Sequence, residues 1–247
     1  MNGNAREAPW ASPPVAPILL PDEVQVWRIP LEFPPVVMNH FRLFLSEEEQ
    51  QRAERFYFEK HRRRYIAAHG ALRVILGRYL GIDPRAMAFT TNAFGKPSDR
   101  EDRLRFNLSH SHEMALIAIT LRHEIGVDIE RIRDDIELES IAEQFFSAEE
   151  YNRLVSLPIP HRVPAFFHCW TRKEAFIKAK GMGLSLPLDQ FDVSIDPEET
   201  DVSLHFHTHP EEEGDWSLRV LDPDPAYAAA LAVAGDLSSL RCRTFTP

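Results

Sequence analysis

Four short stretches of this 247-residue chain hold the residue types that grip metal ions and phosphates. In Trp170-Thr171-Arg172-Lys173-Glu174-Ala175-Phe176-Ile177-Lys178-Ala179, residues Trp170, Glu174 and Lys178 fall at i, i+4 and i+8. A helix stacks them along nearly one face. Upstream, Gly126-Val127-Asp128-Ile129-Glu130 carries two carboxylates two residues apart. A strand points both the same way and turns Val127 and Ile129 to the opposite, buried face. Adjacent carboxylates repel and raise each other's pKa unless a cation sits between them. With Glu174 as a third acid, their oxygens suit Mg²⁺ or Mn²⁺, which keep some water and bind substrate phosphate oxygens. The plainer readings are a solvated acidic strand end, paired with Arg131 or Arg133, and an i,i+4 surface pair of Glu174 with Lys178. Such a pair contributes only about 0.3–0.5 kcal/mol. Trp170 on the same face argues for partial burial.

The third stretch is Asn107-Leu108-Ser109-His110-Ser111. Neighbours on a strand point to opposite faces, so Ser109 and His110 are poorly placed as nucleophile and base. His110, with one serine hydroxyl, is better read as a donor to phosphate; a histidine hydrogen-bonded within the core is the alternative. The fourth, Gly95-Lys96-Pro97, sets one lysine on a rigid turn. Arg52, Lys60, Arg62, Arg63 and Arg64 form a basic stretch that reads equally as a phosphate site or a solvated helix face. His205, His207 and His209 alternate along an expected strand and could share a face. A solvated strand edge outweighs a transition-metal site there, since no acid-rich support lies nearby.

These residues must be positioned by regular elements. Residues 1–21 hold five of the 19 prolines and read as a strap-like arm. A first strand is expected over Val24–Ile29. A helix start follows at Ser46, with acids in its first turn. Helical character runs, with a break, to about Leu80 and stops at Gly81 and Pro84, with Leu72, Ile75, Leu76, Tyr79 and Leu80 as the core stripe. Strands are expected over Met87–Thr91 and Leu104–Leu108, around the Gly95 turn, then over Met114–Leu121 and Ile125–Glu130. Leu138–Phe145 reads as helix, followed by a Ser147-capped helix and a longer one from about Pro164 to Lys180, stopped by Gly181 and Gly183. Phe191–Ile195, Val202–His207, Trp216–Leu221 and Tyr227–Ala234 read as antiparallel strands. The class is α+β with mostly antiparallel sheets.

Bulk properties narrow the function. A net charge of −10 disfavours general nucleic-acid binding, which needs a basic footprint. Two cysteines, Cys169 and Cys242, make neither a disulfide framework nor a zinc spacing; Cys169 reads as a buried free thiol in a reducing compartment. No apolar run reaches the length of a membrane span, and no signal peptide is legible, so a cytoplasmic protein without membrane contact is expected.

Taken together, Phe94-Gly95-Lys96-Pro97, Phe106-Asn107-Leu108-Ser109-His110-Ser111, Ile125-Gly126-Val127-Asp128-Ile129-Glu130 and Trp170 to Lys178 resemble the 4'-phosphopantetheinyl transferases, specifically the long, Sfp-type members. Order and spacing also agree, and Gly183-Leu184-Ser185-Leu186 follows the last motif. The resemblance covers roughly residues 50 to 195. It implies transfer of the phosphopantetheine arm of coenzyme A to a serine of an acyl or peptidyl carrier protein, with release of 3',5'-ADP. By position, Asp128, Glu130 and Glu174 would hold Mg²⁺ on the diphosphate. His110 and Lys178 would contact the phosphates, with Ser109 and Lys96 in support, and Arg52 and Arg64 would face the 3'-phosphate. Glu174 would be metal ligand, base or both. The resemblance further implies a monomer of two similar halves, here 22–122 and 123–247 after the arm, with the active site in the cleft between them. One departure is Glu49, which falls where basic residues would help hold the 3'-phosphate. A non-catalytic coenzyme A or carrier-protein binding module of the same fold is the rival reading. A metal-dependent phosphodiesterase removing the arm is a third.

Overall fold

The computed structural model describes residues 10–12, 14, 17–196, 201–208 and 214–247. Its first half holds β1 (Glu23–Pro30), α1 (Pro35–Phe44), α2 (Glu47–Glu54), α3 (Glu59–Leu80), β2 (Phe89–Thr91), β3 (Pro97–Asp99), β4 (Arg105–Ser111) and β5 (Met114–Thr120). The second holds β6 (Ile125–Arg131), α4 (Leu138–Phe145), α5 (Ala148–Ser156), α6 (Ile159–Lys180), β7 (Phe191–Val193), β8 (Asp201–Val202), β9 (Leu204–Phe206), β10 (Trp216–Leu221) and β11 (Tyr227–Ala234). A last strand, β12 (Ser239–Thr244), crosses back to the first sheet.

Two four-stranded sheets, ordered β12-β1-β5-β4 and β6-β11-β10-β8, organise the halves. Every pair in them is antiparallel except β1 with β12. Strand alternation sorts their side chains. Trp27, Ile29, Ile117 and Ile119 face the helices α1 and α3, while Val24, Val26, Leu116 and Ala118 turn the other way. There they meet Val127, Ile129, Leu231 and Val233 of the second sheet. The far face of that sheet, with Ala228, Ala230 and Ala232, packs on α6. The order is therefore helix, sheet, sheet, helix. Each half contributes one 22-residue helix ending in a left-handed glycine, Gly81 (φ 66°) after α3 and Gly181 (φ 68°) after α6. The α+β architecture of two matched halves agrees with expectation, as do the capping boxes Ser46–Glu49 and Ser147–Glu150. Cys169 and Cys242 are buried free thiols. Among the described residues no helix is long and apolar enough to cross a membrane.

Several elements differ from expectation. The long helix α6 starts at Ile159, not Pro164. Pro160 lies in its first turn, where no N–H is required, and Pro164 only deprives the exposed Pro160 carbonyl of a donor that water can replace. The Gly95 turn closes a hairpin of β2 with β3, not of β2 with β4. Asn92 Oδ1 accepts from the N–H groups of Phe94 and Lys96, each at 2.9 Å, and Gly95 takes the left-handed conformation. Val202–His207 splits at Ser203 into β8 and β9, which join different sheets. The last strand, β12, had no counterpart in the sequence reading, although Leu240 and Cys242 alternate with Arg241 and Arg243. The described part of the arm is a strap: Ala11 donates to Cys242 O (3.1 Å), accepts from Thr244 N–H (2.8 Å), and Trp10 Nε1 donates to Asp222 O (2.8 Å).

Candidate active site

The edges β4 and β6 are not hydrogen-bonded as strands; side chains join them instead. Alternate residues of β4 reach across. Asn107 Oδ1 accepts the Val127 N–H (2.8 Å), Ser109 Oγ donates to Asp128 Oδ1 (2.8 Å), and Ser111 Oγ donates to Glu130 Oε2 (2.7 Å). This polar seam between the halves carries both strand acids. Asp128 is buried, while Val127 and Ile129 lie fully buried on the opposite face, as the alternation predicted.

Helix α6 supplies the rest. It lies directly on β6 because Gly126 has no side chain: a Cβ there would stand 2.1 Å from Ala175 O and 2.3 Å from Ala179 N. That closeness lets Lys178 Nζ reach Asp128 Oδ1 (2.5 Å) and Ser109 Oγ (3.0 Å). Trp170, Glu174 and Lys178 share the half-buried stripe that their spacing predicted. The residues between them serve the fold. Arg172 donates to Ser194 O and Asp196 O, and Lys173 pairs with buried Glu150 at 2.8 Å.

The electrostatics are those of crowded acids around one lysine. Burial pushes the Glu174 carboxyl up to about 7; Lys178 holds it back, while Asp128 and Glu130 add to the rise. Glu130 is likewise raised, by burial and then by the charge of Asp128. Burial works against the charge on Lys178, but Asp128, with Glu174 and Glu130, outweighs it and raises the pKa. Asp128 Oδ2 is buried with no hydrogen-bond partner. Among the described residues, no three His, Cys, Asp or Glu side chains stand close enough to enclose a metal ion. The three carboxylates thus do not form a ready-made cage among the described residues, and the Lys178 ammonium occupies Asp128 Oδ1.

Other expected residues are distributed around this seam. His110 points to the opposite face of β4 from Ser109 and keeps contact with solvent. The protein packed against its ring, then the charges of His69, Lys178 and Arg64, hold its pKa below the ordinary value. Arg64 pairs with Glu113 (2.5 Å) and lines a recess of about 410 Å³ with Lys60 and Arg63. Arg52 lines a different recess, with Glu48, Arg55 and Phe56. Lys96 is committed to structure: its ammonium donates to Ala179 O (2.8 Å) at the end of α6 and to Glu124 (3.0 Å). Glu49 does not oppose a phosphate as a free charge. Burial tends to raise its pKa, yet hydrogen bonds from His69 and the Ser46 N–H, with the charge of Arg73, bring it down to about 2. His207 pairs with Asp192 at 2.8 Å, β9 ends before it, and His209 lies outside the described residues. The sequence reading missed Asn107 and Ser111 as seam residues. Their signal was short polar side chains at every second position of the strand, alternating with Phe106, Leu108 and His110.

Fold and site together define an α+β enzyme of two matched halves with acids and a lysine at their junction. The 4'-phosphopantetheinyl transferase superfamily profile matches residues 124–232, and the profile of the 4'-phosphopantetheinyl transferase N-terminal region matches residues 37–122. The 4'-phosphopantetheinyl transferase HetI of Nostoc sp. is 43% identical over 230 residues, 92% of this chain and 94% of that protein. The 4'-phosphopantetheinyl transferase Sfp of Bacillus subtilis is 34% identical over 198 residues, 79% of this chain and 85% of its own. The 4'-phosphopantetheinyl transferase psf-1 of Bacillus pumilus is 36% identical over 195 residues, covering 78% and 81%. The chain belongs to the 4'-phosphopantetheinyl transferase superfamily and is of its long, Sfp type.

Proposed function

We propose that the chain transfers the 4'-phosphopantetheine arm of coenzyme A to a serine hydroxyl of an acyl or peptidyl carrier protein, releasing 3',5'-ADP, at the β4–β6 seam. Family membership supports the reaction. The local observation that carries the site is Asp128, which engages Ser109 and Lys178 through Oδ1 and keeps a buried, unpartnered Oδ2. A buried carboxylate oxygen without a donor is costly unless a cation completes it. Asp128 and Glu130 are therefore the proposed holders of Mg²⁺ or Mn²⁺, with Glu174 at the margin. Two protein carboxylates suffice, because Mg²⁺ keeps water and takes substrate phosphate oxygens. Bound there, the ion would neutralise and orient the diphosphate, the main requirement of phosphoryl transfer.

The chain's own groups handle the proton and the charge. A carboxyl with a pKa of about 7 is matched to general-base work near neutrality, so Glu174 takes the proton of the carrier serine. The serine Oγ bonds to the phosphorus attached to pantetheine while the phosphorus–oxygen bond to 3',5'-ADP breaks. Lys178, held as ammonium, stabilises the charge on the departing phosphate. His110 is assigned to the phosphates, with Ser109 in support through Lys178 and Asp128; Arg64 and, from a separate recess, Arg52 are assigned to the 3'-phosphate, and Lys96 acts through the end of α6. A non-catalytic binding module is the weaker reading, since binding alone does not call for an acid raised to about 7 beside a lysine.

The test is incubation with coenzyme A, Mg²⁺ and several unmodified carrier proteins, read by intact mass. A one-arm mass gain is expected; its absence on every carrier, with folded protein, would sink the proposal. Asp128→Ala and Glu130→Ala should keep the fold and lose metal-dependent transfer, and full activity in either removes it from the metal site. The protein is further proposed to be a cytoplasmic monomer, which light scattering on a sizing column checks for mass.

A further inference from the structure

The proposed chemistry gives no part to the seam residues Asn107 and Ser111, and of these two Ser111 is the one bonded to a strand acid. Its Oγ lies 3.2 Å from the Arg131 main-chain nitrogen, which can only donate. That contact fills an acceptor site on Oγ and frees the hydroxyl hydrogen for Glu130 Oε2 at 2.7 Å. His112 Nδ1, at 3.4 Å, is the more distant partner. Ser109 repeats the arrangement one pleat away: it accepts from Lys178 Nζ (3.0 Å) and donates to Asp128 Oδ1 (2.8 Å). In each case a serine of one half ties down one oxygen of a carboxylate from the other half, and Asp128 Oδ2 stays unpartnered. Ser111 is itself buried, so water does not readily replace it.

We infer that Ser111 is a positioning residue: by donating to Oε2 while anchored on the Arg131 N–H, it fixes the Glu130 carboxylate so that the other oxygen faces the divalent ion. The inference rests on the proposed metal site and extends it to a residue that touches neither metal nor substrate. It also makes one set of bonds serve two ends, because the contact that orients Glu130 is a contact that joins the halves. Groups that orient metal ligands in this way typically govern about 10–100-fold in metal affinity.

The experiment measures Mn²⁺ binding by electron paramagnetic resonance in the presence of coenzyme A, on the whole chain, alongside melting temperature and metal-free coenzyme A binding by calorimetry. Ser111→Ala should weaken Mn²⁺ binding about tenfold, with coenzyme A binding in chelator unchanged. Ser111→Thr keeps the hydroxyl and should bind Mn²⁺ like the parent. Once Glu130→Gln is in place, adding Ser111→Ala should weaken Mn²⁺ binding no further, the sign of a shared interaction. Parent-like Mn²⁺ binding in Ser111→Ala overturns the inference, and so does equal weakening by Ala and Thr, which would make shape the cause and not the hydroxyl. If Ser111→Ala does not fold, Ser111→Cys, close in volume and a poor donor, carries the same reading. Parent-like binding in Asp128→Ala and Glu130→Gln as well brings down the metal site and the inference with it, a pattern distinct from failure of Ser111 alone.

Discussion

Glu174 is the residue whose chemistry most depends on its surroundings. Its carboxyl ordinarily titrates near 4.5 and is raised here to about 7. The native state therefore holds this proton more tightly than the unfolded chain. Its contribution to stability is complete below pH 4.5 and is lost as pH rises through 7. Glu130, also raised, adds a slope of the same sign. The loss from Glu174 is at most about 3 kcal/mol. Glu174→Gln cannot ionise, so in chelator it should melt above the parent at pH 8, flatten the fall in melting temperature between pH 5 and 8 (roughly the window set by the two pKa values), and lose transfer by about 10²–10⁴-fold. Scanning calorimetry across that range, with mass-read transfer at pH 7, checks both. A slope identical to the parent's would mean that this carboxyl is not the one titrating. The burial of Asp128 and the pairing of Lys178 act together, since the lysine keeps the buried acid from standing alone.

The close contact of α6 with β6 decides whether those residues meet at all. Gly126 allows it, and the atoms a Cβ would strike, Ala175 O and Ala179 N, are backbone that cannot rotate aside. Gly126→Ala must push the helix off the strand. Overpacking of this kind costs about 1–3 kcal/mol or more, and a chain of this size loses about 2–4 °C of melting temperature per kcal/mol. Transfer should fall further than stability does, because Glu174 and Lys178 move relative to Asp128. A Gly126→Ala protein with parental melting temperature and rate would contradict this packing. The alanines beneath the helix, Ala228, Ala230 and Ala232, are fully buried and leave room for the same approach. At this same C-terminal end of α6, the β2–β3 hairpin grips the helix terminus through Asn92 Nδ2 to Gly181 O (2.7 Å) and through Lys96. Elements of the first half thus hold the helix of the second that carries Glu174 and Lys178.

At the scale of the molecule, the chain closes on itself. β12 leaves the second half, pairs in parallel with β1 and sends Phe245 into the first core beside Phe33 and Phe41. The strap at Ala11 then bonds to the outer edge of β12. Removing the residues after Leu237 should therefore strip β1 of a neighbour, expose its edge and leave the strap without its main-chain bonds to β12. An open edge invites pairing with other chains. A lower melting temperature and concentration-dependent oligomers on a sizing column are expected; an unchanged monomer of parental stability would show that β12 does not close the sheet in solution. The two sheets pack face to face across one shared apolar layer, so the seam at β4 and β6 is the line where the layer opens to polar groups.

The sequence by itself determined what local periodicity can carry. Spacing placed Trp170, Glu174 and Lys178 on one helical stripe, and alternation separated Asp128 and Glu130 from Val127 and Ile129. Turn and cap residues marked Ser46, Ser147, Gly81 and Gly181, and the four motifs pointed to the family. These are short-range properties, set by backbone geometry within a few residues. Only the tertiary structure decided that Lys178 occupies Asp128, that Lys96 holds a helix end, that Arg52 and Arg64 line separate recesses, and that Ser111 clamps Glu130. The Lys178–Asp128, Lys96–Ala179 and Ser111–Glu130 contacts each join different elements of the chain, and many side chains of the same type compete for every partner. The choice among them is made by which edges meet and how closely α6 can lie on Gly126, and neither is written in any local run of residues.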